Sequence, residues 1–447
     1  MKKYLSILTA AAFLFAASLS FAGEADLILK LLIKKGVITE AEYQELKKEL
    51  KETAKGEESA KMKEEIKKEV IAEVEKKKES DAAEWAKRLK FSGTVQGEYR
   101  WRRHRNMAFG NTGYDSTSDL YLRKTEIGLQ AGINEWLTTN ITLNSEWIGD
   151  SVNNANNNED TKVDQAIITA KKEGFPLYAV VGKRTQPFGA FYNHLVTDPM
   201  TQDAYETKKV GLTVGVTGPL DLDLSATAYK GEEHQTHLFQ SRLFDETNAN
   251  NNIRRASTGS VMPVAQQTNE VNSYILAAQF SPFKDRLSLG ASYISEPGHS
   301  KRNTTMGLNA KYNCIFIKGL TVEAEYMKAL SRERYWDTTA GALFSDSFKE
   351  RILVLGAAYS VTDPLELAVR YEDFDDGGIA EKSRTWSVDN RYSAGGTYTF
   401  YKDEKKGLSA FVASEYRHTN YRLHPSQKLI MGGKNDEVFM KMGVSFQ

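Results

Sequence analysis

From Leu89 to the C-terminus the sequence keeps returning to a two-residue period, and that period constrains the fold more than any other feature. Leu89, Phe91, Val95, Tyr99 and Trp101 share one parity, while Lys90, Ser92, Thr94, Gln96, Glu98, Arg100 and Arg102 share the other. The same alternation recurs in Leu137, Ile141, Leu143 and Trp147, in Leu220 to Ala228, and in Leu365 to Tyr371. Successive side chains of a strand point to opposite faces, so each stretch reads as a strand with one apolar and one polar face. A soluble sandwich would also alternate, and the connections separate the two cases.

Connections of two lengths take turns along the chain. Short ones fall at Ile133 to Trp136, Gly174 to Pro176, Thr217 to Pro219, Ser281 to Asp285, Lys318-Gly319, Thr362 to Pro364 and Lys402 to Lys406. Between them lie longer polar segments: Arg103 to Ser116, Gly149 to Thr161, Gly182 to Lys209, Glu232 to Asn269, Pro297 to Asn303, Ser331 to Ser347, Asp375 to Lys382 and Tyr421 to Asn435. Seven short turns and eight longer loops predict about sixteen antiparallel strands over residues 91–447. Membrane-spanning barrels show this asymmetry, with short turns on the periplasmic side and long loops outside. At about 22 residues per strand and connection, each strand is long enough to cross a bilayer at a tilt. Tyr99, Trp101, Tyr121, Trp136, Trp147, Tyr371 and Trp386 lie towards strand ends, where aromatic rings occupy the membrane interfaces. The last strand presents Val438, Met440, Met442, Val444 and Phe446 as an outward row. It resembles the C-terminal signal of the barrel-assembly machinery, although Gln447 follows the phenylalanine.

The start of the chain fits export. Lys2 and Lys3, an apolar run from Leu5 to Leu19, and small residues around Ser20-Phe21-Ala22 predict a signal peptide over 1–22. No later apolar run reaches the length of a membrane-spanning helix. Residues 23–90 hold 17 basic and 17 acidic residues, three glycines and no proline, a helical composition. Gly36 suits the end of a first helix, and Thr39 with Glu42 forms a capping box for a second. Met62, Ile66, Val70 and Val74 give a narrow stripe on a third. Such a stripe buries too little for a lone helix, which leaves a periplasmic coiled coil, with a homotrimer as one form, or a solvated linker. This segment is too charged to form the compact plug of an energised receptor. A sixteen-stranded barrel then keeps a water-filled lumen.

Across the whole chain 59 basic residues balance 59 acidic ones, which leaves no basic excess to attract nucleic acid. The barrel portion keeps 40 basic and 42 acidic residues, so composition favours neither anions nor cations. Cys314 is the single cysteine and is expected in a strand as a small apolar residue. No nucleophile elbow, phosphate-binding glycine loop or zinc spacing is present, so no enzyme activity and no cofactor is expected. His234 and His237 could share a metal with Glu232 or Glu233, but no third ligand is fixed.

The third long loop is where a pore of this kind would narrow. Lys183 and Arg184 enter it, Asp198 lies within it, and Lys208 and Lys209 leave it; Pro187, Phe188 and Gly189 set its bend. With Arg100, Arg370, Arg417 and Glu366 on inward parities, these residues are the constriction candidates. Opposed basic and acidic rows across a constriction would create a transverse field on passing solutes; the alternative is that they merely hydrate the wall.

The runs Ile133-Asn134-Glu135-Trp136, Val163 to Ile168, Phe175 to Tyr178, Gly182 through Pro187-Phe188-Gly189 and Thr197 to Thr201 resemble the siderophore porins typified by the legiobactin receptor. The likeness covers residues 91 to about 230, while Leu31 to Thr39 resembles the helical leader of many porins. The resemblance implies a sixteen-stranded outer-membrane barrel with passive ferric-siderophore uptake, and it carries no ligand-contact set. Two alternatives stay open: a general or anion-preferring diffusion porin, and a structural protein tethered through its coiled coil.

Overall fold

The computed structural model describes residues 88–107, 116–150, 160–230, 243, 253–255, 270–283, 286–297, 301–332, 335–337, 342–343, 347–382, 386–424 and 431–447. The expected signal peptide, all but the last residues of the expected helical leader, and His234 and His237 lie outside them.

Sixteen antiparallel strands close into a barrel. They are β1 Leu89–Met107, β2 Ser116–Gly132, β3 Leu137–Ile148, β4 Lys162–Lys171, β5 Leu177–Thr185, β6 Lys208–Thr217, β7 Asp223–Lys230 and β8 Val271–Phe283. The second half comprises β9 Leu287–Glu296, β10 Asn303–Asn313, β11 Leu320–Ser331, β12 Arg351–Thr362, β13 Leu365–Asp375, β14 Trp386–Asp403, β15 Leu408–Leu423 and β16 Met431–Phe446. Each strand pairs with its neighbours in sequence, and β1 pairs with β16 to close the ring, with Gly93 opposite Phe446 and Glu98 opposite Lys441. Closure removes the unpaired edges that a bilayer would not tolerate. At the seam the Phe446 ring lies over Gly93, where a Cβ would stand 2.5 Å from its outer edge. Three short strands, Ile253–Arg255, Tyr335–Asp337 and Ala342–Leu343, form a small sheet of their own.

The outward parity is apolar as the alternation predicts: Phe91, Val95, Val214, Leu276, Met440 and Val444 are all about half exposed or more. A protein that leaves such a band uncovered has to be solvated by lipid. The inward parity carries Glu98, Arg100, Glu323, Glu325, Arg370, Glu372 and Glu415, all buried. Apolar packing inside the barrel joins Phe188, Met200 and Tyr205 of the third loop to Tyr229, Met327, Ile352 and Phe374 of the wall, with Leu243 and Phe348 from two other loops.

Two aromatic residues depart from the expected girdle. Tyr121 is buried in the lumen and donates to Glu98 at 2.5 Å. Trp147 has φ of +60° and stacks over the Arg123 guanidinium at 3.9 Å and beside Tyr121. A bulge in the β1–β2 pairing, where Gln96 meets Lys124 and Gly97 meets Leu122, leaves Arg123 unpaired and turned inward. Cys314 also departs, lying in the turn after β10 rather than in a strand.

Candidate pore constriction

The segment between β5 and β6 folds into the barrel. Its base is closed by the Gln186 amide donating to the Thr207 carbonyl at 2.8 Å. Two glycines make its course feasible. Gly182 has φ of +130°, and a Cβ there would lie 2.0 Å from the Ala166 carbonyl oxygen. Gly189 has φ of +86°, and a Cβ would press on the Met327 methyl and the Phe191 ring. Phe188 just before it is 1% exposed. Pro187-Phe188-Gly189 thus turns the chain inward and plants an aromatic anchor in the wall.

A loop inside a lumen must find partners for its backbone amides, and here the wall's carboxylates supply them. Glu325 accepts from the Ala190 amide at 2.6 Å, the Phe191 amide at 3.3 Å and the Thr201 hydroxyl at 2.5 Å. It thereby fixes Phe191 in the left-handed region, with φ of +50°. Glu415 accepts from the Thr197 amide at 2.7 Å and its hydroxyl at 2.8 Å. Glu372 accepts from the Met200 amide at 2.6 Å, at the start of the loop's short helix α1, Met200–Tyr205. That helix has no side-chain cap of its own, so the wall fills the role of a capping residue. Hydrogen bonds to a charged acceptor are stronger than neutral ones, which suits a loop with few other supports.

Cations complete the clamp. Arg370 donates to the Asn193 side chain at 3.0 Å, the Thr197 carbonyl at 2.9 Å and the Asp198 carbonyl at 3.3 Å, and stands 3.2 Å from Glu372. Lys441 reaches the Val196 carbonyl at 2.8 Å. Arg391 pairs with Asp203 at 3.4 Å, and Arg123 pairs with Asp198 and Glu146, both at 3.2 Å. Tyr205 donates to Glu350, which is paired with the fully buried Arg332.

The nine sequence candidates separate into three groups. Arg370 and Asp198 meet directly in the loop clamp, and Glu366 joins it by holding His194 at 2.9 Å. Arg100, Arg184 and Arg417 face inward in other places. Arg100 pairs with Asp150 at 3.2 Å, Arg184 donates to Thr213 at 2.9 Å, and Arg417 pairs with Glu437 at 2.6 Å. Lys209 sits opposite Arg184 on the inward row of β6.

Lys183 and Lys208 lie elsewhere, and this corrects their place in the constriction set. Lys183 pairs across β5–β6 with Val210, which is 57% exposed, and its ammonium donates to the Val163 carbonyl at 2.5 Å. Lys208 shares the row of Val210 and pairs with Asp164 at 2.7 Å. Both side chains belong to the outward face of the barrel. Residue order alone suggested a basic loop entrance, whereas strand parity divides the four cations between two faces.

Sequence reasoning missed Arg123, His194, Asp203, Arg391 and Lys441. Arg123 was readable in principle, because the outward row runs through Leu120 and Leu122 on even positions and through Ile127 and Leu129 on odd ones, and such a change of parity signals a bulge between them. His194 bridges Glu323 at 3.1 Å and Glu366 at 2.9 Å, and no local pattern announces that contact.

The inward rows of β3 to β9 carry many small, neutral polar residues. Asn140 bonds Gln165 at 3.5 Å, Thr213 bonds Thr227 at 2.8 Å, and Gln279 bonds Ser288 at 2.5 Å. Two charged pairs border these rows, Lys124 with Glu126 at 2.5 Å and Lys311 with Glu323 at 3.0 Å, while Arg184 and Lys209 add two inward cations within them. Among the described residues no group of three or more His, Cys, Asp and Glu could hold a metal ion.

His194 gives the clamp a pH dependence. Its hydrogen bond to Glu323, aided by Glu366 and opposed by burial, raises its pKa above the ordinary value. Folding thus favours the imidazolium, whose contribution is complete below the unfolded value near 6.5 and is lost as pH rises through the higher folded value. The expected result is that His194→Gln costs about 1 kcal/mol at pH 5.5, and that its deficit in melting temperature against wild type shrinks towards zero by pH 9. A deficit that stays constant with pH would contradict the ion pair.

A closed sixteen-stranded antiparallel barrel with its third loop folded inside has the fold of an outer-membrane porin. Solved structures that share it include the outer membrane channel DcaP of Acinetobacter baumannii, with TM-score 0.52 and 12% identity over 80% of this chain and 97% of that chain, and Salmonella typhi OmpF in complex with daunomycin, with TM-score 0.52 and 17% identity over the same shares. At these identities the likeness is one of fold. No family model matches the sequence, and no curated protein matches it.

Proposed function

We propose that this chain is an outer-membrane porin that admits small polar solutes passively, without strong preference for either sign of charge. The observation that carries the reading is the third loop drawn into the lumen and held there by the wall carboxylates Glu325, Glu415 and Glu372, within a wall that also presents hydroxyls such as Thr213 and Thr227. Most charges bordering the passage are neutralised in pairs, and the outward placement of Lys183 and Lys208 leaves Arg184 and Lys209 as the inward half of the basic cluster that an anion-preferring pore would use. Flux would then follow the solute gradient and discriminate by size and by hydrogen bonding. Barrels can also house enzymes, but no reaction is assigned to the groups described here.

Ferric siderophores are the particular cargo that the sequence resemblance nominates, and a homotrimer associated through a coiled coil is the assembly that the stripe of Met62, Ile66, Val70 and Val74 suggests. Both belong to this proposal and rest on sequence. Reversal potentials across bilayers bathed in unequal KCl test the charge indifference, and a value near zero is expected. Liposome swelling with sugars, dicarboxylates and ferric siderophores tests the cargo. Swelling that saturates with one ferric siderophore would narrow the function to iron uptake, while a strongly anion-selective reversal potential would overturn the proposed indifference.

A further inference from the structure

Trp147 stands at the long-loop end of β3 with φ of +60°, a conformation that bulky side chains rarely adopt and that costs free energy to hold. The turn that follows holds it there: the Asp150 amide donates to the Trp147 carbonyl at 3.1 Å, and Gly149 between them has φ of +82°. The register shows what the strain achieves. Lys124 pairs with Glu146 on the inward row, while Leu122, which faces outward, pairs with Ile148. Arg123 and Trp147 therefore meet at the change of parity, and both turn into the lumen. A tryptophan on the outward parity would have joined the interfacial belt without that cost.

The Arg123 guanidinium covers the indole at 3.9 Å, and the Tyr121 ring lies 5.6 Å away. Trp147 nevertheless stays partly exposed, and among the described residues its indole N–H has no acceptor. Beside the ring, Arg123 donates to Oε1 of Glu146 and Oδ2 of Asp198, both at 3.2 Å. The second oxygen of each carboxylate has no donor among the described residues, and the two side chains are 39% and 36% exposed. Asp198 belongs to the third loop, so the group sits where that loop meets the wall of β2 and β3, at the edge of the passage.

We propose that Trp147, Arg123, Glu146 and Asp198 form a subsite for neutral carbohydrate. A pyranose ring lays its C–H face on the exposed part of the indole, the free carboxylate oxygens accept its hydroxyls, and the indole N–H donates to a sugar oxygen. The subsite presupposes the passive pore proposed above and gives it a solute class. A cationic solute fits less well, because it would approach the guanidinium that already lies on the ring; an anionic one would meet two carboxylates. A neutral sugar avoids both repulsions and brings no charge to desolvate.

Saturation-transfer NMR tests this on the full chain folded in a detergent without a sugar headgroup. Maltotriose is the probe, mannitol the acyclic control and argininamide the cationic one. Wild type is expected to transfer saturation to the ring C–H protons of maltotriose and much less to mannitol. Trp147→Asn, which places a residue tolerant of positive φ there, is expected to fold, as heat-modifiable gel migration reports. It should weaken maltotriose binding roughly fivefold, the scale of one lost aromatic contact. Glu146→Ala leaves Arg123 paired with Asp198 and should also weaken binding. No transfer on wild type, equal transfer to mannitol, tighter binding of argininamide, or unchanged affinity in both variants would each overturn the subsite. Conductance recorded in parallel separates the two claims. A barrel that conducts without the sugar contact keeps the porin function and loses the subsite, whereas one that binds maltotriose and passes no current does the reverse.

Discussion

Arg370→Met is expected to destabilise the folded barrel by about 3–5 kcal/mol, the usual loss when one partner of a buried charge cluster is removed. Arg370 is 6% exposed and holds Asn193, Thr197 and Asp198 of the third loop while standing beside Glu372 and Glu415. Those two glutamates also accept the Met200 and Thr197 amides. Without the guanidinium they become buried carboxylates lacking their nearest cation. They then either take up protons or draw in water, and both responses loosen the loop. Urea unfolding in detergent measures the cost, and single-channel recording measures the consequence, a noisier current with a larger mean conductance. A variant with wild-type stability and a quiet current would mean that the loop is held by its apolar anchors, Phe188 and Met200, instead.

Arg332→Ala is the second large effect, expected at about 3–5 kcal/mol. Arg332 is completely buried, is paired with Glu350, and also donates to the Thr304 carbonyl at 3.0 Å and the Thr305 hydroxyl at 2.7 Å. Glu350 accepts from Tyr205 at 2.9 Å, so the pair ties the end of α1 to β10 and to the start of β12. The double replacement Arg332→Met with Glu350→Met removes both charges together. It should cost clearly less than the sum of the single changes, because neither leaves an uncompensated ion. Additive losses in unfolding experiments would show that the two side chains act independently.

The barrel was legible in the sequence because its signal is repeated sixteen times. Lipid outside and water inside impose a two-residue period on every strand, and the short turns and long loops keep phase with it. The inward position of Glu325, Glu372 and Glu415 was legible for the same reason. Their task was not, since an inward carboxylate reads the same whether it hydrates a wall or accepts the amide of a loop more than a hundred residues away. Parity failed where the backbone breaks it: a bulge turns Arg123 inward, and a left-handed φ turns Trp147 over it. Chain proximity misled at the loop entrance, where Lys183 and Arg184 are neighbours in sequence yet face opposite sides of the wall. His194 is a long-range contact, joining residues 129 and 172 positions apart, and no single-strand pattern could reveal it.

Conductance of the full-length protein in planar bilayers tests the central claim most directly. A polar passage beside a pinned third loop predicts stepwise, long-lived openings in KCl, linear in voltage and weakly selective. A folded barrel that inserts and passes no current would contradict the account, since passive passage through the lumen is its central claim.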